Sequence, residues 1–101
     1  MAGYCLSLDM TVRGGEERSI RKSIDSYAVI GPWLATKDEI KDPQKLAVKL
    51  WVNGVLKQDF NTDDMAHKIP RCIEWISGIH DLEPGDILAT GTNHRGLSAF
   101  Q

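Results

Sequence analysis

Leu46-Ala47-Val48-Lys49-Leu50-Trp51-Val52-Asn53-Gly54-Val55-Leu56-Lys57-Gln58-Asp59-Phe60 is the stretch that decides the class of fold. Leu46, Val48, Leu50 and Val52 alternate with Ala47, Lys49 and Trp51, which is the two-residue period of a strand. Asn53-Gly54 follows at once, a pair that accepts the positive φ angles of a tight reversal. Val55, Leu56 and Phe60 lie beyond it, so the segment predicts a β-hairpin.

Toward the C-terminus the pattern turns helical. Asn61 or Thr62 is placed to cap a helix whose first turn holds Asp63 and Asp64, both favourable against the helix dipole. Met65, Ile69, Ile73 and Ile76 recur at helical spacing. Pro70 predicts a break there, unless it opens a second helical segment at its first turn, where its missing N–H costs nothing. Gly78 closes the pattern, Leu82 to Asp86 reads as a turn through Pro84-Gly85, and Ile87-Leu88-Ala89 predicts a buried strand ending at Thr90-Gly91-Thr92.

Toward the N-terminus, Ser26 to Thr36 reads as an extended segment broken at Gly31-Pro32, with polar connection from Asp38 to Pro43. From Tyr4 to Thr11 the residues alternate again, with Tyr4, Leu6, Leu8 and Met10 on one side. Asp9 falls on the other, smaller and more polar face. Arg13-Gly14-Gly15-Glu16-Glu17-Arg18 is a flexible charged loop. These elements predict a mostly β chain with some α, of the α+β class.

Composition excludes several functions. Twelve Lys+Arg against 14 Asp+Glu give a net charge of −2, too balanced for an electrostatic nucleic-acid or polybasic membrane partner. The longest apolar run, Tyr27-Ala28-Val29-Ile30, is far short of a membrane span. The N-terminal residues lack a basic region followed by an apolar stretch, so no signal peptide is expected. Cys5 and Cys72 lie far apart without a Cys-x-x-Cys pairing, which fits a reducing, cytoplasmic compartment. No repeat or low-complexity linker divides the chain, and residues 1–101 are expected to form a single domain or a piece of one.

Few residues point to chemistry by themselves. Asp9 is an ionisable group at the end of a mostly apolar strand, where a carboxylate needs a cation, a metal or several donors. An ion pair with Arg13 or a loop-capping role is the commoner explanation for such a residue taken alone. Lys22, beside Arg21, is either an ammonium for a developing oxyanion or part of an exposed basic pair. Thr90-Gly91-Thr92-Asn93-His94-Arg95-Gly96 gathers hydroxyls, an amide and backbone N–H groups that suit a carboxylate or carbonyl oxygen, or forms an ordinary turn. His67, His80 and His94 share no metal-ligand spacing, and neither a P-loop nor a Gly-x-Ser-x-Gly elbow is present.

Taken in order, Gly3-Tyr4, Leu8-Asp9-Met10-Thr11-Val12-Arg13, Arg21-Lys22-Ser23-Ile24-Asp25, Ile30-Gly31-Pro32-Trp33, Val52-Asn53-Gly54, Met65, and Pro84-Gly85-Asp86 through Thr90-Gly91-Thr92 resemble the fumarylacetoacetate hydrolase family. The ordered set carries the resemblance over nearly the whole chain. It implies a mixed β-sandwich roll, here incomplete, and commonly a homodimer. It also implies a divalent metal, magnesium with manganese or calcium as alternatives, and a small 2-oxo acid, β-diketo acid or dicarboxylate substrate. Members hydrolyse carbon–carbon bonds, decarboxylate or isomerise such acids in catabolism, including that of aromatic compounds, through an enolate that the metal stabilises.

By position, the resemblance makes Asp9 the metal ligand and Lys22 the catalytic lysine beside it. Arg13 and Glu16 become catalytic and substrate-pocket residues, and Thr92 the substrate-contacting threonine. Glu16 stands where many members have glutamine, and Gly14 replaces an aspartate that commonly follows the arginine. The family's two other metal carboxylates, spaced Glu-x-Glu, precede the segment corresponding to Gly3. Neither Glu16-Glu17 nor Asp81-Leu82-Glu83 convincingly replaces them. The family's closing strands follow Gln101, so the chain is expected to be one partial catalytic domain. Two expectations result: a metal-dependent enzyme of 2-oxo acid catabolism, or a non-catalytic fragment that self-associates or needs a missing segment.

Overall fold

The computed structural model describes residues 1–92, and the chain divides into two compact units, Met1–Lys41 and Asp42–Gln101. Among the described residues the secondary structure is mostly strand with few helices.

In the first unit β1 (Gly3–Asp9) pairs antiparallel with β2 (Ala28–Thr36). Gly3 stands opposite Thr36 and Asp9 opposite Ala28, with a shift of register between Tyr4 and Leu6. The shift faces the cis Gly31-Pro32 bond, where proline offers no N–H to the ladder. Glycine is required at the start of β1, because a Cβ on Gly3 would run into the backbone carbonyl of Ala35. Pairing ends at Asp9 and not at Thr11, although Met10 N still donates to Tyr27 O at 3.3 Å. A short helix, α1 (Arg18–Lys22), begins at the last residue of the Arg13–Arg18 segment that the sequence reads as a charged loop.

The second unit contains the hairpin. β3 (Ala47–Val52) and β4 (Val55–Asn61) pair antiparallel from Ala47–Asn61 to Val52–Val55, with a shift between Leu50 and Trp51. Asn53 and Gly54 have φ of 50° and 77°, the two left-handed residues that match the twist of a two-residue hairpin turn. Val48, Leu50, Val52 and Phe60 are half-buried, whereas Trp51 and Leu56 are exposed beside the cross-strand pair Lys49–Asp59, 3.3 Å apart.

After β4 the prediction of a helix from Asn61 or Thr62 is corrected. Asn61 Oδ1 does accept from Asp63 N at 3.1 Å, but what it caps is a single 3₁₀ turn, Thr62–Asp64. The helix proper, α2 (Ile69–Ser77), begins with Pro70 in its first turn. Proline's fixed φ and missing N–H suit that place and would disrupt a helix running through it. Gln44 ties these parts together: its Nε2 donates to Thr62 O at 3.1 Å, and its Oε1 accepts from Ile69 N at 2.6 Å. Thr62 Oγ1 in turn donates to Pro43 O at 2.7 Å and accepts from Leu46 N at 2.9 Å. Ile69, Cys72, Ile73 and Ile76 form the half-buried stripe of α2.

The turn at Leu82–Asp86 forms as expected, with Asp86 N donating to Glu83 O at 3.1 Å and Glu83 N to Asp86 Oδ2 at 2.9 Å. The buried strand expected at Ile87-Leu88-Ala89 does not. These residues pair with no strand among those described, and Ile87 and Leu88 are exposed. An apolar run becomes a strand only when a neighbour takes its N–H and C=O groups. Among the described residues no side chain is fully buried, and no helix is long and apolar enough to cross a membrane.

Candidate functional site

Asp9 is the last residue of β1, and strand alternation puts it on the face of Ser7, across from Ala28. Its own carbonyl accepts from Thr11 Oγ1 at 3.2 Å, a local bond that helps turn the chain out of the strand. Val12 N then donates to Arg21 O at 3.1 Å, tethering the outgoing segment to α1. Arg21 N bonds Glu17 O at 3.1 Å and Ser23 N bonds Ile20 O at 3.2 Å, closing the helix at both ends. Arg21 and Lys22 occupy its last turn, where cations complement the carbonyl end of the dipole.

The result is an ion pair in which Lys22 Nζ donates to Asp9 Oδ2. The carboxylate is paired, but with Lys22 and not with the Arg13 that the sequence suggested. The side chains are 40% exposed for Lys22 and 69% for Asp9, so water screens the pair, and its contribution to stability is at most about 1 kcal/mol. Its interest is chemical: an anchored ammonium faces solvent beside a carboxylate that orients it, a geometry able to meet an anionic oxygen.

The remaining predicted residues are arranged differently. Arg13 is exposed on the loop and takes part in none of the ion pairs among the described residues. Glu16, also exposed, folds its carboxylate back over Gly14, into the space that a Cβ there would fill. Thr92 belongs to the second unit, exposed, and its Oγ1 accepts from Gln58 Nε2 on β4 at 3.3 Å. Asn93, His94, Arg95 and Gly96 of the proposed anion-holding turn lie outside the described residues. Sequence reasoning missed the parts played by Thr11 and Arg21. Arg21 supplies the carbonyl that holds Val12 and carries an Nε shielded from solvent without a hydrogen-bond partner. The acidic Glu16-Glu17 ahead of the basic Arg21-Lys22 was the available sign of a short helix.

A divalent cation of the magnesium or manganese kind asks for about six oxygen ligands. Among the described residues no group of three or more His, Cys, Asp or Glu side chains gathers to hold one. Asp9 offers one carboxylate, and Oδ2 of that carboxylate is engaged by Lys22. The side chains of the described residues therefore do not by themselves make a divalent metal centre.

A family model described as fumarylacetoacetate (FAA) hydrolase C-terminal matches residues 1–99. The chain is 50% identical over 92 residues to maleylpyruvate hydrolase of Aquipseudomonas alcaligenes, covering 91% of this chain and 32% of that protein. It is 39% identical over 103 residues to the 4-hydroxyphenylacetate degradation bifunctional isomerase/decarboxylase of Salmonella dublin, covering 97% of this chain and 24% of that one. The fold matches crystal structures of maleylpyruvate hydrolase from Sphingobium sp. SYK-6. In one the TM-score is 0.86 at 47% identity, over 91% of this chain and 34% of that one. In the other, a complex with manganese(II) and pyruvate, it is 0.84 at 48% identity, over 89% and 33%. The chain thus spans about a third of the length of the maleylpyruvate hydrolases it resembles.

Proposed function

The chain belongs to the fumarylacetoacetate hydrolase family, and from that membership we propose that it is part of the catalytic domain of a metal-dependent enzyme acting on small 2-oxo or β-diketo acids. The observation that carries this reading is the Asp9–Lys22 pair, in a chain nearly half identical to a hydrolase crystallised with manganese(II) and pyruvate. Lys22 meets the negative charge that develops on a substrate oxygen, and Asp9 holds that ammonium in place through Oδ2 and would offer one carboxylate to a cation whose remaining ligands come from elsewhere. Arg13, free of ion pairs among the described residues, takes a substrate carboxylate through its planar fork. Glu16 and the Thr92 hydroxyl supply further polar contacts. The reading extends to a mixed β-sandwich roll, a homodimer and a cytoplasmic setting, with hydrolysis, decarboxylation or isomerisation as the reaction.

Calorimetry with pyruvate or oxalate in excess manganese tests it on the chain itself. Binding that disappears in Asp9→Ala and weakens in Lys22→Ala is the expected result. Equal binding in the variants, or none in any of them, would overturn it. That second result favours a non-catalytic piece that associates with itself or with another segment, a reading supported by the exposed apolar residues of both sheets.

A further inference from the structure

Gln58 is a polar side chain on the apolar face of the hairpin. It stands opposite Leu50 in the β3–β4 ladder and two residues before Phe60, and like both of them it is half-buried. An amide placed there gives up water and needs a hydrogen-bond partner within the fold. Its Nε2 has one 34 residues along the chain, donating to Thr92 Oγ1 at 3.3 Å. Gly91, at a φ of 87°, sets the backbone that leads into Thr92. A Cβ on that glycine would meet nothing within 4 Å, so it serves the left-handed conformation alone. Thr92 itself is exposed. A threonine hydroxyl has one proton to give and two lone pairs. Because Gln58 donates, it fills a lone pair, and the proton of Thr92 is left for an acceptor arriving from solvent. An ionised carboxylate offers acceptors only.

We infer that Gln58 is a positioning residue for Thr92: by filling a lone pair of Oγ1 it commits the hydroxyl to donating, which suits the threonine to the carboxylate of a small acid. Without the amide, the hydroxyl rotates freely and serves donors and acceptors alike. The inference rests on the proposed reading of Thr92 as a substrate contact. It deepens that reading by naming the group the threonine takes and the side chain that aims it. A plain tether between β4 and the Thr90-Gly91-Thr92 segment would act through the fold and not through the direction of one proton, and the experiment separates the two.

Pyruvate binding in excess manganese is measured by calorimetry. The series comprises the wild type, Gln58→Met, Thr92→Ser, Thr92→Val, and Gln58→Met combined with each threonine variant. Gln58→Met is expected to weaken binding about fivefold, the order of one oriented neutral hydrogen bond. The same loss should recur in the Thr92→Ser background, which keeps the hydroxyl, and vanish in the Thr92→Val background, which lacks it. An equal loss in the Thr92→Val background means that Gln58 acts without that hydroxyl, and it overturns the inference. Weaker binding in Thr92→Val with none in Gln58→Met leaves Thr92 as a substrate contact and overturns the part given to Gln58. Undiminished binding in Thr92→Val, or no binding in any chain, removes the reading of Thr92 and this inference with it. If Gln58→Met fails to fold by circular dichroism, the Gln58 side-chain amide resonances of the ligand-free chain decide. Their displacement in Thr92→Val and return in Thr92→Ser supports the inference, and resonances indifferent to residue 92 overturn it.

Discussion

At the scale of single residues, the carboxylates that matter are held by specific donors. Asp42 Oδ1 accepts from Gln44 N at 3.0 Å, and Lys45 Nζ lies 3.2 Å from Oδ2; the amide first and the lysine second hold its pKa below the usual carboxylate value. Asp38 is lowered likewise, chiefly by a hydrogen bond from the Thr36 side chain. A group whose native pKa is depressed adds stability above its unfolded pKa, and that stability is lost as pH falls through the native value. Thermal midpoints should therefore stay level from neutral pH down to the ordinary carboxylate range and fall below the reference value of 3.8. Asp42→Asn should flatten part of that fall, which melts recorded across the acid range will show. Asp9 illustrates what a sequence leaves open at this scale. Its strand face and its need for a cation were legible, but the choice of Lys22 over Arg13 depended on a five-residue helix whose composition barely announces it.

At the scale of elements, the hairpin depends on its two turn residues. Gly54, at a φ of 77°, has nothing within 4 Å of where a Cβ would stand, so the cost of Gly54→Ala is conformational, not steric crowding by neighbours. The expected loss is about 1 kcal/mol, read from the urea midpoint at unchanged slope. The hairpin was readable because alternation and Asn53-Gly54 are both local signals that agree. The turn expected at Gly31-Pro32 did not form: β2 runs unbroken from Ala28 to Thr36, and the proline shows only as a shift of register, because its missing N–H removes one ladder bond without ending the strand. The outcome at Ile87-Leu88-Ala89 was not readable either, because strand formation depends on a distant partner that local composition does not encode. The helix expected from Asn61 failed for a related reason. The cap is real, but Gln44 draws both Thr62 O and Ile69 N to itself and divides the run into a 3₁₀ turn and a separate α2.

At the scale of the whole molecule, the apolar side chains outnumber the places to hide them. Leu6, Ile30 and Leu34 of the first sheet and Val55 and Leu56 of the hairpin are exposed, and among the described residues each sheet has only two strands and so leaves edge backbone groups unpaired. Sedimentation across the micromolar range should show the average mass rising with concentration, together with binding of an apolar dye. A strictly monomeric, dye-free chain would remove the support for the associating reading. The same exposure has an optical consequence. Trp33, Trp51 and Trp75, the three tryptophans of the chain, all have large fractions of their surface in water, with Trp33 at 75%. Their emission is accordingly already red-shifted in the folded chain and changes little on denaturation. A blue shift on mixing or concentrating the protein then marks the covering of these indoles, so the chain carries its own fluorescent gauge of assembly.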